Sequence, residues 1–120
     1  MKIAGAALAL ALAAGSADAG CGPVAEPCTV PGGSYHLVLP DGDGPFPAVV
    51  FLHGYGSSGA GTLKNTGMVA ALVARGYAIL APDGQPMTDR MGRSWDFHPG
   101  RPATRDEAAF LLSVADDAAR

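Results

Sequence analysis

The chain has 120 residues, 48% of them hydrophobic, and a formal net charge of −3 with no runs of one sign. That leaves room for about one small domain with a modest core. It gives no basic footprint for nucleic acid, and the acidic balance argues against anionic surfaces.

Met1-Lys2 supplies a short positive start, Ile3 to Ala14 an apolar stretch too short to span a bilayer, and Ala17-Asp18-Ala19 a small-x-small cleavage site. Residues 1–19 read as a secretory signal peptide, so the product is expected to be secreted or periplasmic after cleavage near Ala19. Ala19-Gly20-Cys21 resembles the end of a lipid-attachment box, but Asp18 stands where an aliphatic residue is needed, so a lipoprotein is the weaker reading. No other stretch is apolar enough to cross a membrane. The remainder, residues 20–120, begins with the chain's two cysteines, Cys21 and Cys28, around a turn-rich hexapeptide. In an oxidising compartment that pair predicts a disulfide closing a short loop. A redox or metal-binding pair would need C-x-x-C spacing or a nearby histidine.

Pro31-Gly32-Gly33 breaks the chain, and Ser34 to Leu39 then carries strand composition, with Tyr35, Leu37 and Leu39 on one face of an outer, half-exposed strand. Turn chemistry over Pro40 to Pro45 leads to Ala48-Val49-Val50-Phe51-Leu52, a continuous apolar run that predicts a central strand buried on both faces. A helix is expected to start between Thr62 and Thr66 and end near Arg75, with Gly76 in the left-handed C-terminal position and Leu63, Met68, Val69, Leu72 and Val73 facing the sheet. Tyr77 to Ala81 is a second buried strand, stopped by Pro82-Asp83-Gly84, and strand-helix-strand makes a right-handed crossover.

Residues 82–103 form a long irregular stretch of the kind that carries function. Thr104 and Glu107 fit a capping box, opening a helix whose Ala108, Leu111, Leu112, Ala115, Ala118 and Ala119 recur at helical spacing.

The join of the Ala48 to Leu52 strand to His53-Gly54-Tyr55-Gly56-Ser57-Ser58-Gly59 is the most informative feature. It places exposed backbone N–H groups at a strand end, an arrangement suited to stabilising an oxyanion. Two other readings compete. Gly54-x-Gly56-x-x-Gly59 matches a dinucleotide fingerprint, with Asp83 where a ribose-binding carboxylate would sit. The exported location, the extra Ala60-Gly61 before the helix and the preceding strand pair oppose it. Gly56-Ser57-Ser58-Gly59-Ala60 approximates a nucleophile elbow, yet Ser58 lies six residues beyond Leu52 instead of on a tight turn at the strand end. A solvated Gly/Ser loop explains both serines.

Ser94, Asp96 and His98 supply three triad residue types within five positions, too short a segment to converge them on one atom. His36 reads as a surface or partner-satisfied residue. Asp83, Asp89, Asp96 and His98 lack metal-ligand spacing, so no metal and no cofactor are assigned.

The ordered set of motifs resembles the secreted polyhydroxybutyrate depolymerase and feruloyl esterase-like family of α/β hydrolases. It comprises Cys21 to Cys28, Gly32-Gly33-Ser34-Tyr35, Pro47 to Gly61 with its H-G-x-G-S-S-G loop, Ala81-Pro82-Asp83-Gly84, Ser94-Trp95-Asp96, and Asp106 to Leu111. The resemblance covers nearly all of residues 21–120. It implies the N-terminal part of an α/β-hydrolase fold, with a mostly parallel sheet flanked by helices. It further implies that the Tyr55 N–H donates to the oxyanion, that His53, Gly54 and Gly56 organise the loop, and that Trp95 walls the substrate pocket. The expected substrate is an ester, from a polyester or a plant cell-wall ester.

In that family the serine, acid and histidine follow in order, beyond a point corresponding to Arg120. The expectation is therefore a serine-type ester hydrolase represented without its nucleophile, inactive alone, with a hydrophobic edge on the Ala48 to Leu52 strand where the nucleophile strand would pair. A catalytically inactive secreted binding or remnant domain is the alternative, and a dinucleotide-binding oxidoreductase the third reading.

Overall fold

A computed structural model describes residues 21–97, 99–100 and 103–120. The predicted signal peptide and His98 lie outside the described residues. The chain pairs first across a Pro-Gly turn. Strand β1 (Cys28–Val30) runs antiparallel to β2 (Gly33–Val38), with Cys28 opposite Tyr35 and Val30 opposite Gly33. Gly32 in this turn takes φ 94°, a left-handed value that a side chain would resist.

Strand β2 then pairs antiparallel with β4 (Ala78–Pro82), Leu37 facing Leu80 across the ladder. Strand β3 (Ala48–Val50) pairs parallel with β4, and the sheet order is β1-β2-β4-β3. The short strands β5 (Gln85–Pro86) and β6 (Arg93–Ser94) make a separate antiparallel pair inside the stretch expected to be irregular.

This overturns the expected mostly parallel sheet flanked by helices: the four-stranded sheet is mixed, and of its three neighbouring pairs only β3–β4 is parallel. The reason lies in the connections. A two-residue turn between β1 and β2 permits only antiparallel pairing, whereas parallel neighbours need a long crossover. The β3-to-β4 link alone joins sheet neighbours through helices, as predicted.

Two strand placements also change. Expected to be outer, β2 lies inside the sheet between β1 and β4, with Tyr35, His36 and Leu37 all buried. Read from composition as a central strand, β3 lies at an edge of the sheet, the hydrophobic unpaired edge expected on this strand where no further strand pairs, and Val50, Phe51 and Leu52 remain 46%, 38% and 47% exposed. A continuous apolar run reports side chains suited to two covered faces; it carries no information on how many strands pair alongside.

The expected single helix is two: α1 (Gly59–Leu63) and α2 (Thr66–Ala74). Asn65 separates them, its side chain accepting from the Met68 N–H as the cap of α2. Gly76 takes φ 85°, and the Gly76 and Tyr77 N–H groups return to the Val73 and Leu72 carbonyls, the expected helix ending. The predicted inward face of α2 is only half-buried.

Helix α3 (Glu107–Ala118) exists where the sequence placed it, but its cap and its face differ. Asp106 caps it, accepting from the Ala109 N–H, while Thr104 and Glu107 are drawn to Asp96 and Arg105. The buried face is Phe110, Val114 and Ala118, and Leu112 points outward. Counting alanines as apolar rotated the expected face. With Cys28, Tyr35, Leu37 and Leu80 this face forms the core. The Cys21–Cys28 disulfide is formed as predicted, fixing the N-terminal loop to β1 beside that core. No helix among the described residues is long and apolar enough to cross a membrane.

The Tyr35 hydroxyl, fully buried, donates to Asp117 Oδ2 at 2.7 Å. Burial, then the hydrogen bond to Asp117 and the charge of that carboxylate, push its ionisation far above the ordinary phenol value. The folded protein thus keeps a proton that the unfolded chain releases above about pH 10. This stabilisation is complete below that pH and is lost progressively as pH rises above it toward the raised folded-state value. Urea melts repeated from about pH 9 to 11 are expected to show falling stability. Tyr35→Phe should flatten that limb while costing about 1 kcal/mol at neutral pH. An alkaline limb unchanged in the variant would remove Tyr35 from the account.

Candidate functional site

Strand β3 ends at Val50, and the chain continues through Phe51, whose N–H donates to the Leu80 carbonyl at 2.9 Å, to the buried His53. Both nitrogens of His53 are engaged. Gly84 N–H donates to Nε2 at 2.9 Å, so that nitrogen carries no proton, and Nδ1–H donates to the Gly54 carbonyl at 2.8 Å. One tautomer satisfies both bonds. With its basic lone pair already taken, His53 holds the loop and is not placed to accept a proton from a nucleophile.

Asp83 grips the other end of the same loop. Its carboxylate is buried and accepts from the Gly59 N–H at 2.9 Å and from the Ser34 hydroxyl at 2.8 Å. His36 Nε2 and Arg93 Nε lie 3.7 and 3.9 Å away. Two consecutive residues at the end of β4 thus clamp residues 53 and 59.

The hairpin of β5 and β6 braces the middle. Gly56 N–H donates to the Arg93 carbonyl at 2.8 Å and Arg93 N–H to the Ser57 carbonyl at 2.9 Å, while Arg93 Nη1 donates to the Gly84 carbonyl. Glycines make these approaches possible. A Cβ on Gly84 would sit 2.6 Å from the Ser94 carbonyl oxygen, and one on Gly59 would collide with the Ala81 carbonyl oxygen. In the sequence Asp83 reads as a strand terminator, a ribose ligand, a rejected metal ligand and part of the Ala81 to Gly84 motif, with no role in holding the glycine loop. Its flanking glycine and the glycine 24 positions earlier were the available signal.

What the clamp leaves open matters more. Among the described residues no acceptor takes the N–H of Gly54 or Tyr55, whereas those of Gly56, Ser57 and Gly59 are all occupied. Tyr55 is 67% exposed, and its ring carries the Arg90 guanidinium at 5.7 Å.

His53, Gly54, Tyr55 and Trp95 meet in one cleft of about 410 Å³, completed by Leu52, Ser94, Phe97, Glu107 and Leu111. Gly56 lies outside it, on a neighbouring cleft. Trp95 is held by its indole N–H donating to the His53 carbonyl at 2.9 Å, with its ring tilted 34° on the imidazole at 5.0 Å. Glu107, the carboxylate at this cleft, is engaged by Arg105 at 2.7 Å and by the Asp96 N–H at 2.7 Å.

Asp96 in turn accepts from the Thr104 hydroxyl and N–H and from the Arg105 N–H, bonds that hold its carboxyl below the usual carboxylate range. It therefore ties down Thr104 and Arg105 and is not poised with Ser94 for catalysis. His36, expected to be a surface or partner-satisfied residue, is the latter: it is buried beside Asp83 and the Pro23 carbonyl. Ser34, His36 and Asp83 gather three triad residue types, but the Ser34 hydroxyl donates to the carboxylate and not to the imidazole.

Among the described residues no serine hydroxyl is hydrogen-bonded to a histidine, and no group of three or more His, Cys, Asp or Glu side chains is arranged to hold a metal ion. The arrangement can therefore donate backbone N–H groups to a developing negative charge beside an apolar, aromatic wall. Comparison with protein-family models, with curated proteins and with solved structures finds no match to this chain.

Proposed function

We propose that these residues form the oxyanion-stabilising part of a secreted or periplasmic serine-type ester hydrolase, of the polyhydroxyalkanoate depolymerase or feruloyl/acetyl esterase kind. The observation that carries this reading is that the Gly54 and Tyr55 N–H groups, which have no acceptor among the described residues, belong to residues lining the Trp95 cleft on a loop clamped at both ends. Donors held before reaction need no reorganisation as charge develops on a carbonyl oxygen. Leu52, Trp95 and Phe97 offer the apolar surface an acyl or aryl group would occupy. The Cys21–Cys28 disulfide accords with an oxidising compartment. The reaction draws on no cofactor.

The nucleophile is not among the serines described, so hydrolysis depends on a serine supplied with this loop by further polypeptide. A dinucleotide reading loses support because the Asp83 oxygens are committed to Ser34 and Gly59. An inactive binding domain uses the same cleft without chemistry.

The test is p-nitrophenyl butyrate hydrolysis by the exported product, with fluorophosphonate labelling and N-terminal sequencing on the same sample. Residues 20–120 alone are expected to stay at background. Where a labelled serine accompanies the loop, Tyr55→Pro, which deletes the donor, should lower kcat about a hundredfold or more, and Tyr55→Phe should not. Tyr55→Pro with unchanged kcat in a folded, labelled enzyme would sink the assignment. No labelling of any form of the product would favour the binding domain.

A further inference from the structure

Beyond Gly56, between the glycine loop and the 87–93 turn, lies a second, open cleft of about 630 Å³. Lys64, Arg90 and Arg93 line it together with the hydroxyl residues Ser57 and Ser58, and no acidic residue does. Of the six Lys and Arg side chains among the described residues, half thus converge on one cleft in a chain whose net charge is negative.

The three cations are differently placed. Arg93 is fixed from behind, donating to the Gly84 carbonyl at 2.8 Å with Asp83 3.9 Å from its Nε. The Arg90 guanidinium lies over the Tyr55 ring, 5.7 Å from its centroid, and its N–H donors have no protein acceptor among the described residues. The Lys64 ammonium, exposed just after α1, has no carboxylate within ion-pair distance among the described residues. Asp89 faces a different cleft.

We propose that this cleft binds an oxyanion, a carboxylate or phosphate, carried on a small polar molecule of about sugar size. Guanidinium groups present donors that match the paired oxygens of such anions, the ammonium adds a point charge, and the hydroxyls suit a polyol. The volume falls within the roughly 300–1,000 Å³ of small-molecule sites. The site stands independently of the ester reading, since none of its lining residues belongs to the Trp95 cleft.

The test is an NMR amide titration of the disulfide-bonded protein with galacturonate, with inorganic phosphate and with neutral galactose, at low salt. Saturable shifts at Ser57, Ser58, Gly61 and Gly92 are expected with one or both anions and not with galactose. Galacturonate alone identifies a carboxylated sugar, phosphate alone a phosphorylated or free phosphate ligand, and both the shared oxyanion chemistry. The exposed double variant Lys64→Gln, Arg90→Gln, whose unchanged spectrum verifies folding, should weaken binding roughly tenfold. The proposal is overturned by no saturable shift with either anion, by equal affinity in the double variant, by equal binding of galactose, or by chloride reproducing the shifts.

Discussion

Asp83→Ala is expected to lower the unfolding free energy by about 3–5 kcal/mol, because removing one member of a buried polar network strands the others. The Gly59 N–H and the Ser34 hydroxyl each lose their acceptor, and Arg93 and His36 lose the carboxylate they face. Against a total of about 5–15 kcal/mol for a domain of ordinary stability, that loss leaves little margin. Asp83→Asn retains the shape and one carbonyl oxygen, so it should cost less, about 1–2 kcal/mol. Urea unfolding of the two variants beside the parent gives both numbers. If alanine and asparagine cost the same small amount, under about 1 kcal/mol, the carboxylate does not hold the loop.

Phe110→Ala should cost a similar amount, about 3–5 kcal/mol, through a different mechanism. Phe110 is 2% exposed and fills the space above the β1–β2 turn, where a Cβ on Gly33 would approach its Cε1 to 3.0 Å. The Arg105 guanidinium stacks on the ring at 3.8 Å while donating to the carbonyls of Gly32 and Asp83. Truncation therefore leaves a cavity and also loosens the arginine that ties α3 to the β1–β2 turn and to β4. Phe110→Leu, which refills most of the volume, should cost less than half as much. A midpoint shift at constant denaturant slope would show lost stability, whereas a changed slope would show an altered compact state. A loss below about 1 kcal/mol for alanine would mean that α3 packs too loosely to anchor the sheet.

Local chemistry was legible in the sequence, and pairing was not. The Cys21–Cys28 bridge, the Gly76 helix ending and the fully buried β4 all follow from residue types a few positions apart, and the parallel β3–β4 pair is the one pairing that the strand-helix-strand order made legible. The mixed sheet depends on which strands come together over long separations, such as Tyr35 to Val38 with Ile79 to Pro82. Composition does not encode that choice: Ala48 to Leu52 has the same apolar content at an edge as it would have at a centre. Thr104 and Glu107 fit a helix cap in spacing, but Asp96 and Arg105 compete for them through a fold the local pattern cannot see.

At the site, His53, Gly54, Tyr55 and Trp95 line one cleft, while Gly56, expected with them, lines the neighbouring one. Their roles remain those of the proposal. The clamp from Asp83 and Gly84 was missed because neither residue's partner lies near it in sequence.

That clamp also sets where the chain can change length. Asp83 reaches one end of the glycine loop through its side chain and Gly84 the other through its backbone, so the two grips share a single peptide unit. One residue inserted between Ala81 and Gly84 would pull them out of step, whatever its identity. The tip around Met91, 91% exposed, bears on neither grip and can lengthen into solvent. A lengthened loop is therefore expected to be tolerated in the outer hairpin, whereas the spacing from β4 to the glycine loop admits no added residue.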